Sequence, residues 1–203
     1  MSSTPHLLKN LPPLAERIRP QVISDFTGQT SLIRDNSILC KAVETNQPFS
    51  LIFWGPPGTG KTTLARILSR EFGADYFELS AISSGVKQVR EILQKGKDSF
   101  NNGKRSILFI DEIHRFTKSQ QDALLHAVEE GSITLMGATT ENPSFEVISP
   151  LLSRCRILRL YPLTEKELEN ILMRAIENDI LLIQRNPKID KKAETLLLES
   201  CGG

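Results

Sequence analysis

The run Gly55-Pro56-Pro57-Gly58-Thr59-Gly60-Lys61-Thr62 has the spacing G-x-x-x-x-G-K-[ST]. Glycines at such positions let backbone N–H groups turn inward around phosphate oxygens, and a helix starting here adds its positive end. In such a cradle, taken to extend to Thr63, the Lys61 ammonium reaches the β- and γ-phosphates and the Thr62 hydroxyl binds Mg2+. ATP and Mg2+ are therefore the expected ligands. A glycine turn carrying an exposed lysine is the bland alternative. The complete pattern, set between an apolar strand and a helix, argues against it.

Asp111 and Glu112 follow the apolar run Ile107-Leu-Phe-Ile110. They stand at the C-terminal end of a buried strand, where α/β sheets bind ligands. Asp111 is expected to hold Mg2+, mostly through water, and Glu112 to orient and polarise the attacking water. Alone, two acids at a strand end would be a turn or a helix cap; beside a phosphate loop they become candidates for chemistry. The next strand ends in Thr139-Thr140-Glu141-Asn142, polar groups suited to sensing a γ-phosphate. Thr140 is the choice, with Thr139 and Asn142 as alternatives and ordinary strand-end capping as the bland account. Arg154, in Leu151-Leu-Ser-Arg-Cys-Arg156, is a candidate arginine finger for a neighbouring subunit's γ-phosphate. By spacing alone a surface salt bridge is at least as good an account, and Arg156 competes for the role. His114 and His126 lack metal-ligand spacing and are expected to be structural or solvent-facing. Trp54 is expected to pack beneath the phosphate loop.

The elements that must position these groups alternate along the chain. Apolar segments at Leu51–Trp54, Tyr76–Leu79, Ile107–Ile110, Ile133–Met136 and Ile157–Leu160 have strand length. Helices are expected over Ser31–Glu44, Thr62–Phe72, Val86–Phe100 and Ser119–Glu129, the last closed by Gly131. Strands this apolar, separated by helices, predict an α/β domain with a five-stranded parallel sheet covered on both faces. Residues 1–13 read as a flexible arm and 14–161 as the nucleotide-binding domain. Residues 162–203 read as a helical lid, opened by the capping box Thr164-Glu-Lys-Glu167 and continued by a helix from Asp190 to Ser200. Two lone helices bury their apolar faces poorly, so the lid is expected to be incomplete.

Of the 203 residues, 39% are hydrophobic and 24% charged, enough for an ordinary core. Lys plus Arg is 25 against 24 for Asp plus Glu, so no global basic field exists and any nucleic-acid contact must be local. The three cysteines, Cys40, Cys155 and Cys201, lack C-x-x-C spacing, which argues against a disulfide framework or a zinc site. No apolar run is long enough to span a bilayer, and the first residues lack a signal-peptide core. A cytoplasmic setting is expected, nucleoid-associated in a bacterium or nuclear in a eukaryote, with no membrane partner.

The order of these motifs resembles that of the AAA+ ATPases, within them the clamp-loader clade. The runs Asp111-Glu-Ile-His-Arg-Phe-Thr-Lys-Ser-Gln-Gln-Asp-Ala-Leu-Leu125 and Gly137-Ala-Thr-Thr-Glu-Asn-Pro-Ser-Phe-Glu-Val147 resemble the replication-associated recombination protein A family, whose eukaryotic relatives include the Werner-helicase-interacting ATPase. The resemblance implies a P-loop αβα sandwich with a helical lid. It implies DNA-dependent ATP hydrolysis at a subunit interface in replication-fork maintenance, recombination and repair. Its expected partners are ATP, DNA at forks or single-stranded/duplex junctions, a homo-oligomer of the full-length form, and single-strand-binding protein. It places Phe26, Gly28 and Gln29 by the adenine and gives Arg154 the trans-acting role. It also implies that Lys87 and Arg90, three apart on one helix face, track the DNA backbone; a solvated face balanced by Glu91 is the bland account. The family's second sensor arginine would follow Gly203, so turnover by these residues alone is expected to be weak. The rival functions are a clamp-loader subunit, a RuvB-type branch-migration motor, and an ATP-gated DNA-binding scaffold with little turnover.

Overall fold

Five short segments pair as one all-parallel sheet: β1 (Leu51–Trp54), β2 (Asp75–Ser80), β3 (Ser106–Asp111), β4 (Thr134–Thr139) and β5 (Arg156–Arg159). The strand order is β2-β3-β4-β1-β5. In register, Trp54 lies opposite Thr139 on one side and Arg159 on the other, and Ser80 lies opposite Asp111. From β1 the chain crosses toward β2, whereas from β4 it crosses toward β5 on the opposite side. The crevice between the carboxyl ends of β1 and β4 is therefore the switch point of the sheet, the place where open α/β sheets bind ligands.

The computed structural model describes residues 11–82 and 84–201, which divide into two compact units. The helices are α1 (Leu14–Arg17), α2 (Thr30–Ile33), α3 (Ile38–Glu44), α4 (Lys61–Glu71), α5 (Val86–Asn101), α6 (Lys118–Glu129), α7 (Pro143–Glu146), α8 (Ser149–Leu152), α9 (Glu165–Asn178), α10 (Ile180–Arg185) and α11 (Lys191–Ser200). In the sheet unit, residues 21–163, alternate side chains of β3 serve two cores. Ile107 and Phe109 pack with Leu39 of α3 and Leu64, Ile67 and Leu68 of α4. Leu108 and Ile110 pack with Val89 of α5 and Leu124 of α6. These side chains are almost wholly buried, and each contributes on the order of 2 kcal/mol of transfer free energy. The parallel sheet covered on both faces is as the sequence predicts.

Four local departures have physical causes. The expected helix over 31–44 is split into α2 and α3. Asn36 takes a left-handed φ of +65°, which asparagine tolerates, and the Ser37 hydroxyl then caps α3 by accepting the Cys40 N–H at 3.2 Å. The apolar spacing Val86, Val89, Ile92, Leu93 predicts a buried face of α5 that includes Val86, yet Val86 is 40% exposed because it opens the helix ahead of the buried Val89. β5 begins one residue early and is an edge strand, so Leu158 and Leu160 point inward while Ile157 is exposed. Finally, α10 has no sequence-based forecast; Asp179 creates it by capping the N–H groups of Leu181 and Leu182, both at 3.1 Å.

The second unit combines residues 11–20 with 164–201. Residues 14–20, expected with the sheet domain, thus group with the helices instead. Of the arm expected over 1–13, residues 1–10 lie outside the described residues. The Thr164–Glu167 capping box is present, with the Thr164 N–H donating to Glu167 Oε2 at 2.7 Å. Arg17 anchors α1 by donating to both oxygens of Asp179, at 2.6 and 3.0 Å. No described helix is long and apolar enough to cross a membrane.

The hydrogen bond from Arg17, helped by those from Leu182 and Leu181, holds the Asp179 carboxyl below its usual range. A depressed carboxyl contributes stability that is complete above its unfolded value of about 4 and is lost as pH falls through the folded value. Asp179→Asn is therefore expected to lower the melting temperature at pH 7, with the gap to wild type closing below about pH 4. Thermal melts at pH 7 and pH 3 check this; a gap that persists undiminished at pH 3 would show that the carboxylate charge is not what stabilises the unit.

Candidate functional site

The phosphate loop leaves β1 at the switch point and ends in α4. Its first residue, Gly55, donates its N–H to the Thr139 carbonyl at 3.1 Å. A Cβ on Gly55 would fall inside contact distance of the Leu160 carbonyl oxygen, so only glycine fits between β4 and the end of β5. Gly58 and Gly60 take φ of +79° and +93°, and a Cβ on Gly60 would meet the Phe26 ring at 2.7 Å. The buried Thr59 hydroxyl braces the turn by donating to the Pro56 carbonyl at 3.0 Å. Pro56, Pro57 and Gly58 are exposed at the tip. Lys61 opens α4 and is only 8% exposed; its Nζ donates to the carbonyls of Gly55 and Pro56 at 2.7 and 2.8 Å. Burial holds its ammonium below the usual lysine range, and the carboxylates of Glu112 and Asp111 pull the other way. Thr62 and Thr63 follow in the first turn, both half-buried.

Asp111 ends β3, and Glu112 is the next residue, with a left-handed φ of +54°. Left-handed backbone is disfavoured for a residue with this side chain by about 1–2 kcal/mol and occurs where function or packing imposes it. The turn it makes leads into a short 3-10 helix, Ile113–Arg115. Thr139 is fully buried, and its hydroxyl accepts the Glu141 N–H at 3.0 Å and lies 3.0 Å from His114 Nδ1. Thr140, the residue that the sequence favours as sensor, is half-buried at the exit of β4. Asn142 is engaged in capping α7 through Ser144 N–H at 3.0 Å.

Phe26, Gly28 and Gln29 come to the same end of the sheet unit. The Phe26 ring is buried against Gly60. Gly28 and Gln29 both have positive φ, +81° and +53°. The Gln29 side chain pairs twice with the Tyr161 backbone, donating to its carbonyl at 2.7 Å and accepting its N–H at 3.0 Å. Trp54, expected beneath the loop, lies under the Arg159 guanidinium at 4.9 Å.

Four basic residues singled out in the sequence lie apart from this cluster. Arg154 pairs with Glu129 at the end of α6 and donates to the Pro150 carbonyl at 2.6 Å, so the salt bridge that spacing alone allows is present. Arg156 sits over the Phe49 ring at 5.4 Å, and burial pushes the Cys155 thiol up to about 12. Lys87 and Arg90 are both exposed on α5; Lys87 lies 4.0 Å from Glu91.

Sequence reasoning misses three positioning side chains. His114 lacks metal spacing and so carries no signal of its own. Gln121, 1% exposed, donates to the Phe116 and Glu146 carbonyls at 3.2 and 3.0 Å and accepts the Ile148 N–H at 2.9 Å, tying α6 to the segment that leads to Arg154. Glu129 has no signal beyond being an acid at a helix end. A glutamine at a core position of α6 is the one visible sign for Gln121, since a buried amide needs partners.

The sequence pattern of the ATPase family associated with various cellular activities (AAA) matches residues 51–163, more than half of the chain. The chain belongs to the AAA ATPase family. Replication-associated recombination protein A of Escherichia coli K12 is 49% identical over 166 residues, which are 82% of this chain and 37% of that protein. ATPase WRNIP1 of Dictyostelium discoideum is 45% identical over 195 residues, 96% of this chain and 22% of that protein. This AAA chain thus spans well under half the length of these relatives. Among solved structures, the Thermotoga maritima RuvB Holliday junction branch migration motor matches with a TM-score of 0.67 and 34% identity, over 79% of this chain and 54% of that one. A point variant of the same RuvB matches with a TM-score of 0.72 and 30% identity, over 89% of this chain and 59% of that one.

The residues of this AAA site fit a nucleotide with Mg2+. The Lys61 ammonium stands at the start of α4 on two backbone carbonyls, where a phosphate could replace them, and the Thr62 hydroxyl and Asp111 carboxylate are hard oxygen donors of the kind that Mg2+ prefers. Because the obstacle at Gly55 is backbone, Gly55→Ala must push the loop off the end of β5. Mg-ATP affinity, measured by calorimetry, is expected to fall at least about tenfold, with the fold retained. Unchanged affinity would mean that the loop has slack the geometry does not reveal.

Proposed function

We propose that this chain hydrolyses ATP at an interface between its own copies and couples the cycle to work on DNA, in replication-fork maintenance, recombination and repair. The observation that carries the proposal is that Lys61, at the start of the helix after β1, lies within electrostatic reach of Asp111 and Glu112 at the end of β3; relatives named replication-associated recombination protein A at 44–49% identity support it. The RuvB structures match at 30–34% identity, so shared fold favours that motor less than sequence favours the first family.

In this account the Lys61 ammonium exchanges the Gly55 and Pro56 carbonyls for the β- and γ-phosphates. Its burial makes that exchange favourable, since a phosphate is a stronger partner than two carbonyls. Thr62 and Asp111 would hold Mg2+, which would supply positive charge to the phosphates. Glu112 accepts a proton from the attacking water, and Thr140 positions that water against the γ-phosphate. Phe26, Gly28 and Gln29 shape the side of the site where the base lies. Arg154 acts on the γ-phosphate bound by the next subunit, exchanging Glu129 for it.

Glu112→Gln is expected to keep ATP binding and reduce turnover by about a hundredfold or more, because an amide takes no proton. Arg154→Ala should be equally inactive, yet mixing the two inactive full-length proteins should restore part of the turnover. Restoration requires interfaces that pair an intact Glu112 with an intact Arg154. No recovery over a range of mixing ratios would remove the trans role of Arg154.

Lys87 and Arg90 are proposed to contact the DNA backbone, which carries little sequence information. Replacing both by Ala should weaken binding evenly across DNA sequences and flatten the log affinity against log salt plot by about one unit per lost contact. Titrations of forked, single-stranded and duplex DNA at several salt concentrations, with melting temperature as the folding control, test this. An unchanged slope and affinity would move the DNA path to another face.

A further inference from the structure

His114 is 12% exposed at its side chain and joins two groups that the chain otherwise separates. Its Nδ1 lies 3.0 Å from the Thr139 hydroxyl and its Nε2 lies 3.3 Å from Glu112 Oε2. The backbone explains how. Glu112 at φ +54° reverses the chain, so that the 3-10 turn Ile113–Arg115 brings the ring back toward Glu112 and over the end of β4. Thr139 is itself fixed: it is fully buried, its hydroxyl accepts the Glu141 N–H, and its carbonyl accepts the N–H of Gly55, the first residue of the phosphate loop.

We propose that His114 is a positioning residue for ATP hydrolysis, holding the Glu112 carboxylate from the rigid end of β4. The Thr139 hydroxyl stands 3.0 Å from Nδ1 and donates to the Glu141 carbonyl at 3.2 Å, so it fixes the ring's position at the end of β4; a proton on Nε2 then donates to the Glu112 carboxylate. Such a bond leaves the second Glu112 oxygen to face water and fixes one rotamer of a side chain whose free form has several. It also connects the β4 end, where Thr139 neighbours the γ-phosphate candidate Thr140, to the group that activates water. The proposal rests on Glu112 being the proton acceptor.

The test uses His114→Ala, His114→Gln, His114→Asn and Thr139→Val in the full-length protein, with Glu112→Gln as reference. His114→Ala is expected to lower kcat about tenfold, the worth of one hydrogen bond to a charged group, while ATP affinity stays within about twofold. His114→Gln, whose amide nitrogen reaches the Nε2 position, should recover most of the loss, whereas His114→Asn, which reaches only the Nδ1 position, should not. Thr139→Val should lower kcat about threefold and add nothing in the His114→Ala background, because the two act through one chain of bonds.

An unchanged kcat in His114→Ala overturns the proposal. So does a loss of kcat that tracks a loss of ATP affinity or melting temperature, as a merely structural role would give. Equal behaviour of the Gln and Asn variants, or full additivity with Thr139→Val, also overturns it. If His114→Ala does not fold, the comparison of Gln with Asn decides alone. Normal turnover by Glu112→Gln would overturn the base assignment itself; an inactive Glu112→Gln beside a fully active His114→Ala would overturn only the role of His114.

Discussion

The site depends on how tightly the end of β1 is held between its neighbours. β1 is the strand flanked by β4 and β5; its own onward connection runs toward β2, whereas that of β4 runs toward β5 on the other side. Gly55 must leave that position with its N–H bonded to the Thr139 carbonyl and with no side chain, since the Leu160 carbonyl fills the space a Cβ would need. This closeness fixes the point at which the phosphate loop leaves the sheet. It also couples the phosphate loop to β4, so the strand that ends at Thr139, just before Thr140, and the loop that would hold phosphate share a hydrogen bond.

Around this fixed turn the charges are arranged to be useful rather than restful. Lys61 is largely desolvated and is satisfied by two backbone carbonyls, weaker partners for an ammonium than an anion would be. Asp111 and Glu112 lie close enough to oppose the effect of burial on that ammonium. Glu112 adds backbone strain at the residue assigned to the chemistry. Strain of this kind persists only where surrounding packing over-determines it. Here Ile113, fully buried in the core on one face of the sheet, pins the residue that follows.

Most of this is legible wherever the signal is local. The glycine spacing, the acid pair after four apolar residues and the strand–helix alternation are patterns of adjacent residues, and the structure places each where the pattern expects. What is not legible depends on pairs far apart in sequence. His114 and Thr139 are 25 residues apart, Gln29 and Tyr161 are 132 apart, and Arg17 and Asp179 are 162 apart. No periodicity encodes these, so sequence alone neither pairs Arg17 with Asp179 nor brings His114 to Thr139. The broken helix over 30–44 escapes prediction for the opposite reason: apolar spacing runs smoothly across a break set by two polar residues, Asn36 and Ser37.

Arg154 shows how a group can have a partner and still be available. Its ion pair with Glu129 is open to solvent, each side chain being 39% exposed. Exposed pairs are worth about 0–1 kcal/mol and weaken further with salt. The Pro150 carbonyl adds a local hydrogen bond within the same turn, which orients the side chain without burying it. A guanidinium held this lightly is pre-organised but not committed. A desolvated phosphate, offering bidentate geometry and full negative charge, would outcompete Glu129 at small cost. Lys61 follows the same rule with backbone carbonyls in place of a carboxylate. In both cases the resting partner is weaker than the phosphate the proposed chemistry would bring, and that inequality would let each cation be pre-placed without being locked.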